Sequence, residues 1–296
     1  LAGIAPFDPV AAYLGAAQEW ADPGTRARIA AQLGVDDPWW QHYLGWVRGV
    51  LTGDPGWSSA YRQPVGDVLG ARLVWSVLLG AVALPLAALA SAVLSLATIR
   101  RPGGWVDRTV SALATVLAAT PAFLVCLGLI AVVSLRWGWL PAGGLAPAGE
   151  PLTAGTVARH LILPAIALAS SLLPWLVLHL RESMVEAYGS AAVSGARARG
   201  ASEAQVLWGH VVPPALMPAV TVIAARLPEL VTGTVLVETV FGWPGIGLAL
   251  VRAATSVDYP LMAAVTLAAG TVVIGGNLLA DLLQWRIDLR ARGGLR

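Results

Sequence analysis

From residue 73 onward, long apolar runs alternate with short polar connections. The runs 73–99, 109–135, 161–180 and 260–280 contain no Asp, Glu or Arg. A helix that crosses the hydrocarbon core of a bilayer needs about 20 such residues. Each of the four runs therefore predicts a membrane span. A fifth run, 216–237, is long enough but holds Arg226 and Glu229. Pro85, Pro121, Pro164, Pro174 and Pro228 fall in or beside these runs, as membrane helices tolerate. The opening segment, residues 1–71, has another texture. It is polar, carries Trp20, Trp39, Trp40, Trp46 and Trp57, and is broken by turns at Asp22-Pro23-Gly24 and Gly53-Asp54-Pro55-Gly56. That pattern predicts short helices, too broken for an independent catalytic domain. The expected architecture is an all-α membrane protein. Five visible transmembrane helices lie within a domain at 72–296, beside a small external helical segment at 1–71.

Composition supports a lipid environment. Hydrophobic residues make up 57% of the chain and charged ones 12%, against about 25% charged in soluble domains. Mean hydropathy is +0.70. The basic residues are all Arg, and a net charge of +2 offers no nucleic-acid surface. Cys126 is the single cysteine, which excludes an intrachain disulfide. Residues 1–10 lack the basic start and apolar centre of a signal peptide.

Arg in short loops marks the cytoplasmic side. Arg100, Arg101 and Arg108 flank one connection, Arg181, Arg197 and Arg199 lie in another, and Arg286, Arg290, Arg292 and Arg296 follow the last run. With alternating spans these share one side, and the segment 1–71 lies outside. A chain that enters from outside at Leu73 has crossed once already, so a sixth helix is expected before residue 1. Trp105, Trp137, Trp139, Trp243 and Trp285 sit at run ends, where interfacial aromatics belong.

The connection 181–214 is the informative one. Its middle reads Ala196-Arg197-Ala198-Arg199-Gly200-Ala201-Ser202-Glu203. Gly200 suits the left-handed residue that ends a helix, and Ser202 can cap the next one. Val206 and Leu207 follow, and Pro213-Pro214 is expected to stop that short helix. Two readings stand: a helix that docks into a groove on a partner, or a plain amphipathic connector.

This segment resembles the cytoplasmic signature loop of permease subunits in binding-protein-dependent ABC importers. Ser194-Gly195-Ala196 matches its small-residue cluster, Gly200 its glycine, and His210-Val211-Val212-Pro213 its ending. The oligopeptide, dipeptide and nickel branch is the most similar. Arg199 stands for its usual Lys. Further strings fit: Asp8-Pro9-Val10, Gln41-His42-Tyr43-Leu44, Gly53 to Ser58, Gly138-Trp139-Leu140-Pro141, Asp258-Tyr259-Pro260, and above all the run from Val237 to Gly247. One departure is Ala191-Ala192-Val193-Ser194-Gly195, where the branch carries charged residues.

The resemblance implies a six-helix permease of the bacterial cytoplasmic membrane. It would pair with a second homologous permease, two cytoplasmic ATPase subunits and an external substrate-binding protein. The chain would be no enzyme and hold no cofactor; ATP and Mg belong to the partners. The cargo would be a peptide or, in the same branch, nickel or another small solute. The coupling residues would be Ala196, Arg197, Arg199, Gly200, Ser202, Glu203, His210 and Pro213.

Other residues stand out by their own chemistry. Arg226 and Glu229 share a helix face, and charges at that depth normally face a cavity or each other. They are expected either to line the pathway or to form a self-satisfied pair. Glu238, Phe241, Gly242, Trp243, Pro244 and Gly245 form an outer loop that either dips into the membrane or turns at its surface. Asp281 reads as structural, with Arg286 as its partner. His42, His160, His179 and His210 are scattered and make no metal-binding i, i+4 pair, so no metal site is expected. No phosphate-binding glycine loop with Lys is present. An intramembrane hydrolase built on Ser170 or Ser171 with His179 is an alternative, as is a transporter driven by an ion gradient.

Overall fold

The computed structural model describes residues 20–32, 38–99, 101–225 and 227–287, with isolated positions 10 and 14. The described chain is helical apart from one two-stranded hairpin. It divides into two compact units, residues 1–74 with 249–268, and residues 75–248 with 269–296.

In the first unit, α1 (Pro23–Gln32) begins after Asp22, whose carboxylate accepts from the Thr25 N–H at 3.1 Å. This is an N-cap followed by proline in the first turn. α2 (Trp39–Thr52) stops at Gly53 in a left-handed turn. The strands β1 (Trp57–Ser58) and β2 (Gln63–Pro64) then pair antiparallel. The hairpin is held by a residue far along the chain. Asp258 Oδ2 accepts from Ser58 Oγ at 2.5 Å and from the Ala60 N–H at 3.0 Å. Its Oδ1 accepts from the Leu261 N–H at 3.2 Å. Asp258 thereby caps the start of α12 (Tyr259–Ile287). Ser58 and Asp258 are both buried.

The second unit is organised around α6 (Ala154–Tyr188). Its most apolar stretch is 61% buried, against 22% for α3 (Val65–Thr98) and 17% for the Tyr259–Leu279 part of α12. α6 is therefore the central helix, while α3 and α12 leave apolar side chains open. Thr153 and Thr156 form a capping box at its start. α4 (Trp105–Ala119), α5 (Ala122–Leu129), α9 (Val212–Ala225) and α10 (Leu227–Phe241) pack against it. Thirty-five residues rise about 52 Å at 1.5 Å each, well beyond a hydrocarbon core of about 30 Å. The helix thus continues past the expected run end at residue 180. Leu180 and Met184 lie in a second apolar cluster with Ile99, Val193, Ala196, Val206 and Val211.

Two bends break the straight course of the apolar segments. The run 109–135 is not one straight helix. α4 ends at Thr120, α5 begins after Pro121, and the two turn by 103°. Proline drives the residue before it out of the helical region, and Thr120 is extended, with φ −88° and ψ 122°. α5 then widens into π-type turns over Ile130–Arg136. A second bend of 81° separates Gly233–Phe241 from α11 (Ile246–Thr255). Three described helices are long and apolar enough to cross unbroken, and up to five spans result if each bent pair counts as one.

Candidate functional site

The connection after α6 folds into two short helices around Gly200. α7 (Ala191–Ala198) starts at Ser190, whose hydroxyl accepts from the Val193 N–H at 3.4 Å. It ends with the Gly200 N–H donating to Arg197 O at 2.9 Å and the Ala201 N–H to Ala196 O at 3.1 Å. This paired closure needs a left-handed residue, and Gly200 has φ +85°. α8 (Glu203–Val206) follows at once. Ser202 accepts from the Gln205 N–H at 3.3 Å, and Gln205 Oε1 accepts from the Ser202 N–H at 2.8 Å.

Pro213 and Pro214 do not stop this helix. It widens into π-type turns over Leu207–Val211, which hold His210, and continues as α9. Both prolines fall just after these wide turns, at the start of α9. Side chains fix the pose. Arg197 Nε donates to Glu203 Oε1 at 2.9 Å, the Tyr188 hydroxyl donates to Glu203 Oε2 at 3.1 Å, and the Arg197 guanidinium lies 4.6 Å from the Tyr188 ring centre. The Glu203 hydrogen bond holds Arg197 above its ordinary pKa. Val206 and Val211 are fully buried beneath the loop, and Trp208 is 66% exposed upon it. Arg199 is exposed. Trp208 carried no signal in the sequence, because the apolar period alone does not tell an outward aromatic from a core one.

Asp107 is another residue the sequence did not mark. Arg181 forks onto its carboxylate, through Nε to Oδ1 and through Nη2 to Oδ2, the latter at 2.7 Å. The Gly103 N–H donates to the same carboxylate at 2.6 Å. This pair ties the first turn of α4, where Asp107 is buried, to the overrunning end of α6.

The string from Val237 to Gly247 forms an interlock. Glu238 is fully buried at the last turns of α10. Its Oε1 accepts from Ser76 Oγ at 2.5 Å, and its Oε2 accepts from the Leu248 N–H at 3.0 Å. Ser76 Oγ in turn accepts from the Ile246 N–H at 2.8 Å. A carboxylate and a hydroxyl thus satisfy the first N–H groups of α11, where negative charge is favoured. A Cβ at Gly245 would run into Glu238 Oε1 and Ser76 Oγ, so any side chain here must displace one of them. Phe241 and Trp243 are buried. Trp243 Nε1 donates to Trp75 O at 3.0 Å, and the two indoles meet edge to face. Gly242 turns the chain at φ +61°, and Pro244 follows it into the bend. The string packs as a tight corner within its unit.

Arg226 and the side chain of Glu229 lie outside the described residues, as does the side chain of Arg286; Asp281 is exposed. The hydrolase alternative finds no support. The Ser170 and Ser171 hydroxyls donate to Ala167 O and Leu168 O, and His179 Nδ1 meets Trp175 O at 2.8 Å. Each side chain is bound to its own helix backbone. His160 is likewise engaged with Thr156 O at 2.7 Å.

Residues 83–293 match the family described as binding-protein-dependent transport system inner membrane component. The oligopeptide transport system permease protein AppB of Bacillus subtilis (strain 168) is 32% identical over 287 residues, spanning 97% of this chain and 90% of AppB. The dipeptide transport system permease protein DppB of Escherichia coli (strain K12) is 34% identical over 309 residues, spanning 97% and 90%. Among solved structures, a chain of the MetNI methionine ABC transporter in an inward-facing conformation aligns with a TM-score of 0.61. It is 16% identical, over 74% of this chain and 96% of that one. A chain of an amino acid ABC transporter with histidines gives 0.54 at 15% identity, over 74% and 94%. These last two share the fold.

Proposed function

The chain belongs to the inner-membrane components of binding-protein-dependent transport systems, and from that premise we propose that it carries peptides inward as one permease of an ABC importer. Peptide cargo is proposed from the relatives, which are named for oligopeptide and dipeptide transport. Membership implies partner ATPases, a substrate-binding protein and a second permease. ATP and Mg chemistry is assigned to the ATPases.

One observation carries the coupling mechanism. The connection 188–211 exposes Glu203, Gln205 and Trp208, while Val206 and Val211 are sunk among Leu180 and Met184 of α6. A push on the exposed side is therefore delivered to the central helix. The Tyr188, Arg197 and Glu203 contacts hold α7 and α8 together, so that the loop moves as one piece. ATP drives the cycle only to the extent that it binds one state of the assembly more tightly than another.

The test is ATP hydrolysis and uptake by the reconstituted complex, with and without binding protein, comparing wild type with Gly200→Arg. At φ +85° a side chain costs about 1–2 kcal/mol and opens the turn. Loss of uptake and of stimulation by binding protein, in a complex that still assembles, is the expected result. Unchanged uptake and stimulation would reduce the loop to a connector.

A further inference from the structure

The first unit carries a cationic cluster that the coupling mechanism does not use. Tyr61 stands at the tip of the hairpin, its N–H donating to Ser58 Oγ at 3.2 Å. The Arg72 guanidinium carbon lies 4.5 Å from the centre of the Tyr61 ring, and that of Arg252 lies 6.0 Å from it. Two positive charges thus gather around one aromatic ring. Among the described residues, neither arginine has an ion-pair partner. The buried carboxylate of this unit, Asp258, is committed to Ser58, Ala60 and Leu261.

Two further observations fall on the same cluster. Arg72 Nη1 and Tyr61 Oη are both shielded from solvent without a hydrogen-bond partner. Buried polar atoms are nearly always satisfied, and each exception calls for a physical reason, an ion among them. Among the described residues, the non-glycine positions with positive φ are Arg62 at +52° and Val257 at +54°. One adjoins Tyr61 and the other adjoins Asp258. Such backbone is costly for a β-branched residue and gathers at binding sites.

We infer that Arg72, Arg252 and Tyr61 form a carboxylate-binding site, and that its ligand is the C-terminal carboxylate of a peptide entering the transport path. A guanidinium fork offers paired N–H groups to the two oxygens of a carboxylate, and the Tyr61 hydroxyl adds a third donor. An unmodified peptide presents this group whatever its side chains are, so the site recognises a peptide without reading its sequence. The ligand assignment rests on the proposed peptide cargo; the carboxylate chemistry does not.

Two measurements on the assembled complex separate these layers. In the first, wild-type complex is treated with phenylglyoxal, and modification of Arg72 and Arg252 is followed by mass spectrometry. N-acetylalanine is expected to slow modification of both, while N-acetylalaninamide leaves it unchanged. Equal protection by acid and amide, or protection only by glycerophosphate, overturns the site; the latter result would assign it to lipid headgroups. In the second, uptake of a tripeptide and of its C-terminal amide is compared in proteoliposomes. Arg72→Gln and Arg252→Gln are each expected to raise KM for the free acid about tenfold, as loss of one charge-assisted contact predicts. Both are expected to leave the amide unaffected, with Arg72→Lys recovering part of the difference. Variants that impair both substrates alike overturn the ligand assignment. If the acid protects but wild type transports neither peptide, the peptide cargo fails while the carboxylate site stands.

Discussion

Gly245 and Glu238 form a pair in which each residue limits the other. A Cβ at Gly245 would meet the Glu238 carboxylate and Ser76 Oγ well inside contact distance, so Gly245→Ala must displace a buried charge. We expect a loss of about 1–3 kcal/mol, the usual effect of overpacking, seen as a lower unfolding temperature of the detergent-solubilised complex. Trp208 makes the opposite case. It is exposed on the coupling loop, so Trp208→Ala should leave that temperature unchanged. An aromatic anchor at an interface contributes about 2 kcal/mol or more, and ATPase subunits should bind the variant roughly thirtyfold more weakly, as read by co-purification at low concentration. Both glycine and glutamate were legible as part of a recognisable string. Their reason was not, because Ser76 lies 162 positions away from Glu238 and nothing in its neighbourhood marks it. Asp107 escaped for the same reason: an acid at the start of an apolar run reads as a boundary until its arginine is seen.

Helices were more legible in their existence than in their direction. Hydropathy reports how far an apolar run extends, and the runs behind α3, α6 and α12 were found, although α3 begins before its run and α6 overruns its own at both ends. It does not report that a run folds back, and the 103° turn at Thr120 and Pro121 was hidden inside one continuous stretch. The turn at Gly200 and the restart at Ser202 were legible because each depends on local backbone chemistry. The passage through Pro213 and Pro214 was not, because the π-type turns that precede them leave no mark in the sequence. α4 and α6 are joined by Asp107 and Arg181, and this contact gives an element-level prediction. Removing one partner of a buried pair leaves a charge stranded and costs on the order of 3 kcal/mol. Asp107→Ala should therefore destabilise the complex more than the double variant Asp107→Leu with Arg181→Leu, as thermal unfolding would show. A double variant as damaged as the single one would mean that the contact is not the source of the cost.

At the scale of the molecule, the unequal burial of its long helices shows which of them need further cover. α6 is enclosed by its own chain, whereas α3 leaves Val77, Leu89 and Val93 open, and α12 leaves Ile274, Leu278 and Leu282 open. Those faces suit lipid and a second permease. Leu89→Arg should cost about 2.5–3.5 kcal/mol at the centre of a span and lower the inserted chain several-fold in membrane fractions. An unchanged level would place Leu89 against water. The Ser58 to Asp258 contact also fixes a schedule. Its partners are 200 positions apart, and ribosomes add about 5–20 residues per second, so the hairpin waits roughly 10–40 s for the acid that holds it. Until then Ser58 and the Ala60 amide have no anchor, and the hairpin segment remains a nascent fragment open to proteases and chaperones. A chain truncated before residue 258 would never leave that condition.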